Sequence, residues 1–280
     1  MTKAESVKTL RDALPLRFGE SFSIDQSLSG LDEIARIASR RVIRRYLERT
    51  IDPALLRLLC ACALSAPTKS DLQQADIIIV KDAEKRRVIA DLISDQPFIR
   101  AAPVFLIVLA NGRRLPEISK LRGKPFPNDH LDLFFNATVD AALALATFVR
   151  AAETVGLGCC PISVIRDHAA RVTELLALPP RVIPLAGLCV GWPAEPGHIS
   201  ARLPLVCTVH EDRYDEGDLS ARIDAYDQRR AAIHPHKARD PARWGTPQFY
   251  GWSEDKARQY AVPQRTDFGT FVRKQGFRLD

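Results

Sequence analysis

Two short stretches hold most of the side chains able to do chemistry. Arg40-Arg41-Val42-Ile43-Arg44 sets three guanidinium groups within five residues. Such planar forks suit a phosphate dianion, which they can bind with two parallel hydrogen bonds each. The second stretch, Ala66-Pro67-Thr68-Lys69-Ser70-Asp71-Leu72-Gln73-Gln74, offers hydroxyl and amide groups beside exposed main-chain N–H. An arginine cluster alone is more often a solvated helix face than a site. The two stretches together point to an anionic ligand.

Other chemical signatures fail on inspection. Gly156-Leu157-Gly158 opens a dinucleotide fingerprint, but Pro161 stands at its third glycine and the stretch follows a helical pattern instead of a strand. His210-Glu211 begins a zinc-protease pattern, but Tyr214 occupies the place of the second ligand. No phosphate loop ending in Gly-Lys-Ser/Thr and no nucleophile elbow occurs. Cys60, Cys62, Cys159, Cys160, Cys189 and Cys207 form no C-x-x-C pair, so they read as buried free thiols of a reducing, cytoplasmic setting with no metal.

Composition narrows the class. The chain has 280 residues, 46% of them hydrophobic and 26% charged, enough to bury one large core or two small ones. Forty Lys and Arg against 34 Asp and Glu leave a net charge of +6. That margin accommodates an anionic ligand and falls short of a nucleic-acid footprint. The runs Val104–Ala110 and Val182–Val190 are shorter than the ~20 residues of a membrane span, and no membrane role is expected.

The elements that must position these residues alternate between helix and strand. Residues 1–29 read as a loosely held extension. Leu31, Ile34, Ala35 and Ile37 follow helical spacing, and Asp52-Pro53 opens a second helix that stops before Pro67. Ala75–Val80, Val104–Ala110, Cys159–Ser163 and Ile183–Gly191 read as strands, with helices at 83–93, 134–155 and 168–176. The helix from Phe134 is apolar around nearly its whole circumference, which requires burial in a core or against a second subunit. Residues 215–280 read as a polar helical arm ending in Phe268, Phe271 and Phe277, continuous with a 30–214 core.

Seven motifs in order carry a resemblance. They are residues 39–46 (SRRVIRRY), 66–80 (APTKSDLQQADIIIV), Gln96-Pro97-Phe98, 155–167 (VGLGCCPISVIRD), 183–195 (IPLAGLCVGWPAE), 201–214 (ARLPLVCTVHEDRY) and 271–277 (FVRKQGF). From about Leu31 to Phe277 the chain resembles the FMN-dependent nitroreductase superfamily, in its NADPH-using oxygen-insensitive nitroreductase and flavin reductase branch. The resemblance implies an α+β fold with a mixed, mostly antiparallel sheet flanked by helices. It also implies an interlocked homodimer whose C-terminal arm wraps the partner and whose FMN sites draw on both chains. NADPH, with NADH as the alternative donor, would give hydride to flavin N5, and nitroaromatic or quinone acceptors would take two electrons in ping-pong fashion. Flavin-fragmenting and dehalogenating members of the superfamily, and a non-enzymatic flavin-binding protein, stay open as alternatives.

Carried over by motif position, Arg40, Arg41, Val42, Arg44 and Arg202 surround the FMN phosphate, with Arg41, Arg44 and Arg202 as its holders. Thr68, Lys69, Ser70 and Gln73 face ribityl or ring oxygens, and Gln96 faces the pyrimidine edge. Ile162, Ser163 and Val164 lie near N5, where main-chain N–H groups of Ser163 and Val164 serve without any catalytic side chain. Arg265, helped by Arg239 and Arg243, would meet NADPH. The chain departs from the pattern in five places, one of them Ser163-Val164 where the family often has Gly-Gly. Val42 replaces a Ser or Thr, Arg40 a His, Asp71 an Asn, and Ser200 a Lys that usually lies beside the pyrimidine ring.

Overall fold

A computed structural model describes all residues 1–280, which divide into two compact units. The first comprises Met1–Arg41 with His198–Gln264, the second Val42–Gly197 with Arg265–Asp280. In chain order the first unit opens with helices α1 (Lys3–Phe18) and α2 (Leu31–Ser39). The second unit follows with α3 (Pro53–Leu64), β1 (Ala75–Ile79), α4 (Ala83–Leu92), α5 (Phe98–Ala101) and β2 (Val104–Asn111). It goes on through α6 (Arg114–Leu121), α7 (Leu131–Thr154), β3 (Gly158–Ile162), α8 (Ala169–Leu175) and β4 (Val182–Gly191). The chain then returns to the first unit for α9 (Leu219–Ile233), α10 (Pro241–Trp244) and α11 (Trp252–Tyr260), and ends in the second with α12 (Phe268–Lys274).

The second unit is built on a four-stranded sheet in the order β1-β2-β4-β3, with every pairing antiparallel. Its strands are the apolar runs expected from sequence, within a residue or two at each end. Both faces of β2 and β4 are buried, so these strands read as continuous apolar runs without alternation. The register slips once, where Val108 opposes Ala186 and Leu109 opposes Pro184. Leu185 is the extra residue, beside a proline with no N–H to donate to a ladder.

One sheet face carries α3 and α7 over Leu59, Leu106, Phe148 and Leu188. The other carries α4, α5 and α8 over Ile89, Phe105, Ile162 and Ile165. Helix α7 is long and apolar enough to cross a membrane by length and composition alone, a property the shorter runs above do not have. Here its inner face lies on the sheet and its interior holds the buried Asn136 and Asp140. Within one chain the helix is buried on its inner face alone, and Leu131, Phe135, Val139 and Leu143 form an exposed stripe at four-residue spacing. The tail's Val272 and Phe277 pack with Leu133 and Ala137 of α7, so the last part of the expected arm is occupied with its own chain's core.

In the first unit the expectation of a loosely held N-terminus is corrected. Thr2 and Glu5 form a reciprocal capping box, with the Thr2 hydroxyl accepting from Glu5 N–H and the Glu5 carboxylate from Thr2 N–H. Val7 and Leu10 of α1 meet Leu31, Ala35 and Ala38 of α2 in a small apolar cluster. Gly19 ends α1 in the left-handed region (φ 80°), which glycine adopts without a Cβ clash. The same position needs glycine for space, since a Cβ there would stand 2.7 Å from Arg229 Cδ.

Candidate functional site

In the second unit three of the expected segments converge. Val42, Phe98 and Val164 all pack against one apolar cluster of the sheet. The stretch after Arg41 runs beside β3, where Ile43 N–H donates to the Cys159 carbonyl at 3.1 Å. Gly158 permits that approach, because a Cβ on it would lie 2.6 Å from Ile43 Cβ. Arg44 then projects from an extended backbone, its guanidinium 5.6 Å from the centre of the Phe98 ring. Phe98 follows Gln96 by two residues, so Arg44 lies against the short segment that bears Gln96. Ile162 is buried at the end of β3, and the exposed Ser163 begins a short 3-10 turn carrying Val164. The Tyr46 hydroxyl donates to the Ile43 carbonyl at 2.6 Å, and burial pushes both this phenol and the nearby Cys189 thiol above their usual values.

The Thr68–Gln73 loop leads into β1, at the opposite edge of the sheet from β3. Three strand spacings separate those edges, about 14 Å. Ser70 (φ 48°), Asp71 (φ 57°) and Gln73 (φ 53°) all lie in the left-handed region. Non-glycine residues held there cost on the order of 1–3 kcal/mol each and persist only where surroundings over-determine them. Asp140 supplies that restraint. Its carboxylate, 2% exposed on α7, accepts from Lys69 N–H and Gln74 N–H at 3.0 Å each. Within the loop Gln73 N–H donates to the Thr68 hydroxyl at 3.4 Å, and the Gln73 amide donates to Asp71 at 3.0 Å. Arg114 adds a bond to the Gln73 carbonyl and an ion pair with Asp76. A cavity of about 270 Å³ lies here, lined among others by Thr68, Gln73, Arg114 and Asp140. Lys69 pairs with Asp132 at 3.6 Å, so the Asp71 carboxylate meets the Gln73 amide instead of a lysine.

In the first unit Arg40, Arg41, Ser200 and Arg202 sit on two stretches that one arginine ties together. Arg17 donates from Nε to the Ala38 carbonyl at 3.0 Å and from its two terminal nitrogens to the carbonyls of Arg40 (2.7 Å) and Ser200 (3.3 Å). Its own carbonyl accepts from Arg202 N–H at 2.6 Å. Arg229 donates to the Leu16, Arg17 and Arg202 carbonyls, and burial lowers its affinity for the proton. The Tyr226 hydroxyl donates to the Ala201 carbonyl at 3.3 Å. Arg202 is itself exposed, one nitrogen turned back to the Ala201 carbonyl at 3.1 Å.

The residues expected to meet NADPH are engaged within the chain. Arg265 of the second unit pairs with Asp167. In the first unit Arg239 lies 3.4 Å from Asp255, and Arg243 lies over the Trp244 ring. Burial pushes the Asp255 carboxyl up, but hydrogen bonds from Lys256 and Tyr250 outweigh that and hold it below the usual range. The buried Arg258 donates to the carbonyls of Arg239, Trp244 and Gly245, which fixes the loop that carries these cations.

Sequence reasoning missed Asp140 and Arg17. A lone carboxylate inside an otherwise apolar helix was a usable sign for Asp140. Arg17 had none, because a carbonyl partner leaves no mark on residue type. The donor set as a whole fits FMN in kind: guanidinium forks for a phosphate, hydroxyls for a ribityl chain, and an amide and main-chain N–H groups for the ring.

Residues 37–108 and 94–192 match the family model described as the nitroreductase family, and residues 200–280 match the nitroreductase family C-terminal domain. The chain is 31% identical over 252 residues to the FMN reductase [NAD(P)H] of Bacillus subtilis, covering 88% of this chain and 98% of that protein. It is 30% identical over 249 residues to the oxygen-insensitive NADPH nitroreductase of Salmonella typhimurium, covering 87% and 97%. The solved structure of the hypothetical oxidoreductase YcnD from Bacillus subtilis superposes with a TM-score of 0.80 at 30% identity, over 89% of this chain and 99% of that one.

Proposed function

The chain belongs to the nitroreductase family, and on that premise we propose that it is an FMN-dependent oxidoreductase driven by NADPH, with small nitroaromatic or quinone molecules as acceptors. Relatives named as FMN reductase and as NADPH nitroreductase support the cofactor and the donor. FMN, when bound, would supply the redox chemistry, two-electron transfer from the nicotinamide donor to the acceptor by way of flavin N5. The protein supplies binding, orientation and electrostatics. Arg41, Arg44 and Arg202 take the phosphate, Thr68 and Ser70 the ribityl or ring oxygens, and Gln96 the pyrimidine edge. The Ser163 and Val164 main chain would serve N5, and Arg265 would meet the donor by exchanging Asp167 for a phosphate.

The observation that carries this reading is the convergence of Val42, Phe98 and Val164 on one apolar cluster. The three segments so anchored carry Arg44, Gln96 and Ser163, a guanidinium, an amide and a polar turn, donor types that a flavin mononucleotide uses.

A homodimer is part of the proposal. The exposed stripe Leu131, Phe135, Val139 and Leu143 lies on α7, which packs beside α3 with its exposed Leu58 and Leu64. Exposed apolar side chains on two packed helices support an interaction face there. The Thr68–Gln73 loop and the Ile162–Val164 turn leave opposite edges of one chain's sheet, which favours two chains sharing each flavin. Free thiols and an NADPH donor suit the cytoplasm.

Steady-state NADPH oxidation with a quinone tests the activity. Donor and acceptor using one space in turn gives parallel double-reciprocal lines. Intersecting lines would contradict the shared space, and no oxidation by FMN-loaded protein would contradict the enzyme.

A further inference from the structure

We propose that helix α1 braces the phosphate end of the FMN site and that Arg17 is the positioning residue through which it acts. The proposal rests on the FMN reading above. Its basis is that a single guanidinium fixes both first-unit stretches that bear phosphate-holding arginines. Arg17 is 7% exposed, and all three of its nitrogens donate to carbonyls: Ala38 and Arg40 on one stretch, Ser200 on the other. The Arg17 carbonyl then accepts from Arg202 N–H. The backbone before Arg41 and the backbone of Arg202 are thus both referenced to one residue of α1.

Docking of α1 has support besides this arginine: the helix has its own capping box and an apolar contact through Val7 and Leu10. Burying a cation there costs desolvation that well-placed carbonyl dipoles help to offset. What the guanidinium does that an aliphatic side chain cannot is hold three carbonyls in fixed relation. Arg229 repeats the device one layer out. It spans the Leu16, Arg17 and Arg202 carbonyls through the space that Gly19 leaves open. Helix α1 lies ahead of residue 37, where the family match starts, so the brace is an element in front of the matched fold.

The test compares two ligands that differ only by the phosphate. FMN and riboflavin are titrated into full-length protein stripped of flavin, with affinity read from quenching of flavin fluorescence and folding checked by thermal melting. Arg17→Ala is expected to weaken FMN binding by roughly tenfold or more, from lost charge-assisted bonds, and to leave riboflavin binding within about twofold. Arg17→Lys keeps the charge but loses the fork, and it is expected to weaken FMN by a smaller factor with the same selectivity. Arg229→Lys should do likewise. If Arg17→Ala does not fold, the two lysine variants decide the matter. Equal losses for both ligands, or no loss for either, would overturn the brace. The underlying reading fails separately, if wild-type protein binds FMN no more tightly than riboflavin or if Arg41→Ala leaves that preference intact.

Discussion

The two units hold their ligand-facing backbone by opposite means. In the first, a buried cation gathers carbonyls, as Arg17 bonds those of Ala38, Arg40 and Ser200. In the second, a buried anion gathers amides, as Asp140 bonds those of Lys69 and Gln74. Each is a charged side chain almost removed from water, with main-chain groups of two or more residues among its partners. The cation lies under the stretches that bear the phosphate-directed arginines. The anion lies under a loop whose hydroxyls and amides accompany one lysine and one aspartate, and it holds that loop with three residues in the left-handed region. The sign of each brace thus suits the kind of ligand group its segment serves.

The largest effect expected of this comparison comes from removing the phosphate holders themselves. Arg41→Ala combined with Arg44→Ala should give folded, colourless protein with FMN affinity down roughly a thousandfold, from two contacts of about 1.5–3 kcal/mol each. Retained flavin in the purified double variant would break the assignment.

Next comes Asp140→Ala, which strands two amides and releases a strained loop. Urea unfolding should show a loss of about 3 kcal/mol, with Asp140→Asn less costly because one acceptor remains. Unlike Arg17→Ala, this change should weaken FMN and riboflavin alike, since the loop faces the part of the ligand the two share. A loss confined to FMN would erase the distinction between the braces.

The smallest effect is on pH. Burial, and then the charge of Arg230, holds His236 below its usual value, and its Nε2 accepts from Arg230 Nε at 3.0 Å. The folded state therefore prefers the neutral imidazole. Its contribution to stability is present above the unfolded value near 6.5 and is lost as pH falls through the lower folded value. Melting temperature should drop slightly between pH 7 and pH 5, and His236→Gln should reduce that drop.

The strands and most helices were legible because apolar runs with bounding prolines and glycines need no knowledge of distant residues. Val104–Asn111 and Val182–Gly191 are buried on both faces and look so in one dimension. The site residues were legible only as a pattern of donor types carried over from a family. What stayed hidden were the groups that hold them. Arg17 has carbonyl partners, which every residue possesses, and Ser200 lies 183 positions away. Asp140 was visible as a misfit in an apolar helix, but its two amides, 71 and 66 positions back, were not. The N-terminal helix was missed for a related reason. Its capping box and its Val7 and Leu10 contact are short, and Pro15 near its end argues against a helix.

The central claim is an FMN enzyme reduced by NADPH, and the visible spectrum of the purified protein tests it most directly. A yellow protein that bleaches promptly on anaerobic addition of NADPH is the predicted result. A yellow protein that NADPH leaves unchanged would contradict the donor, and a colourless protein unable to take up FMN would contradict the site.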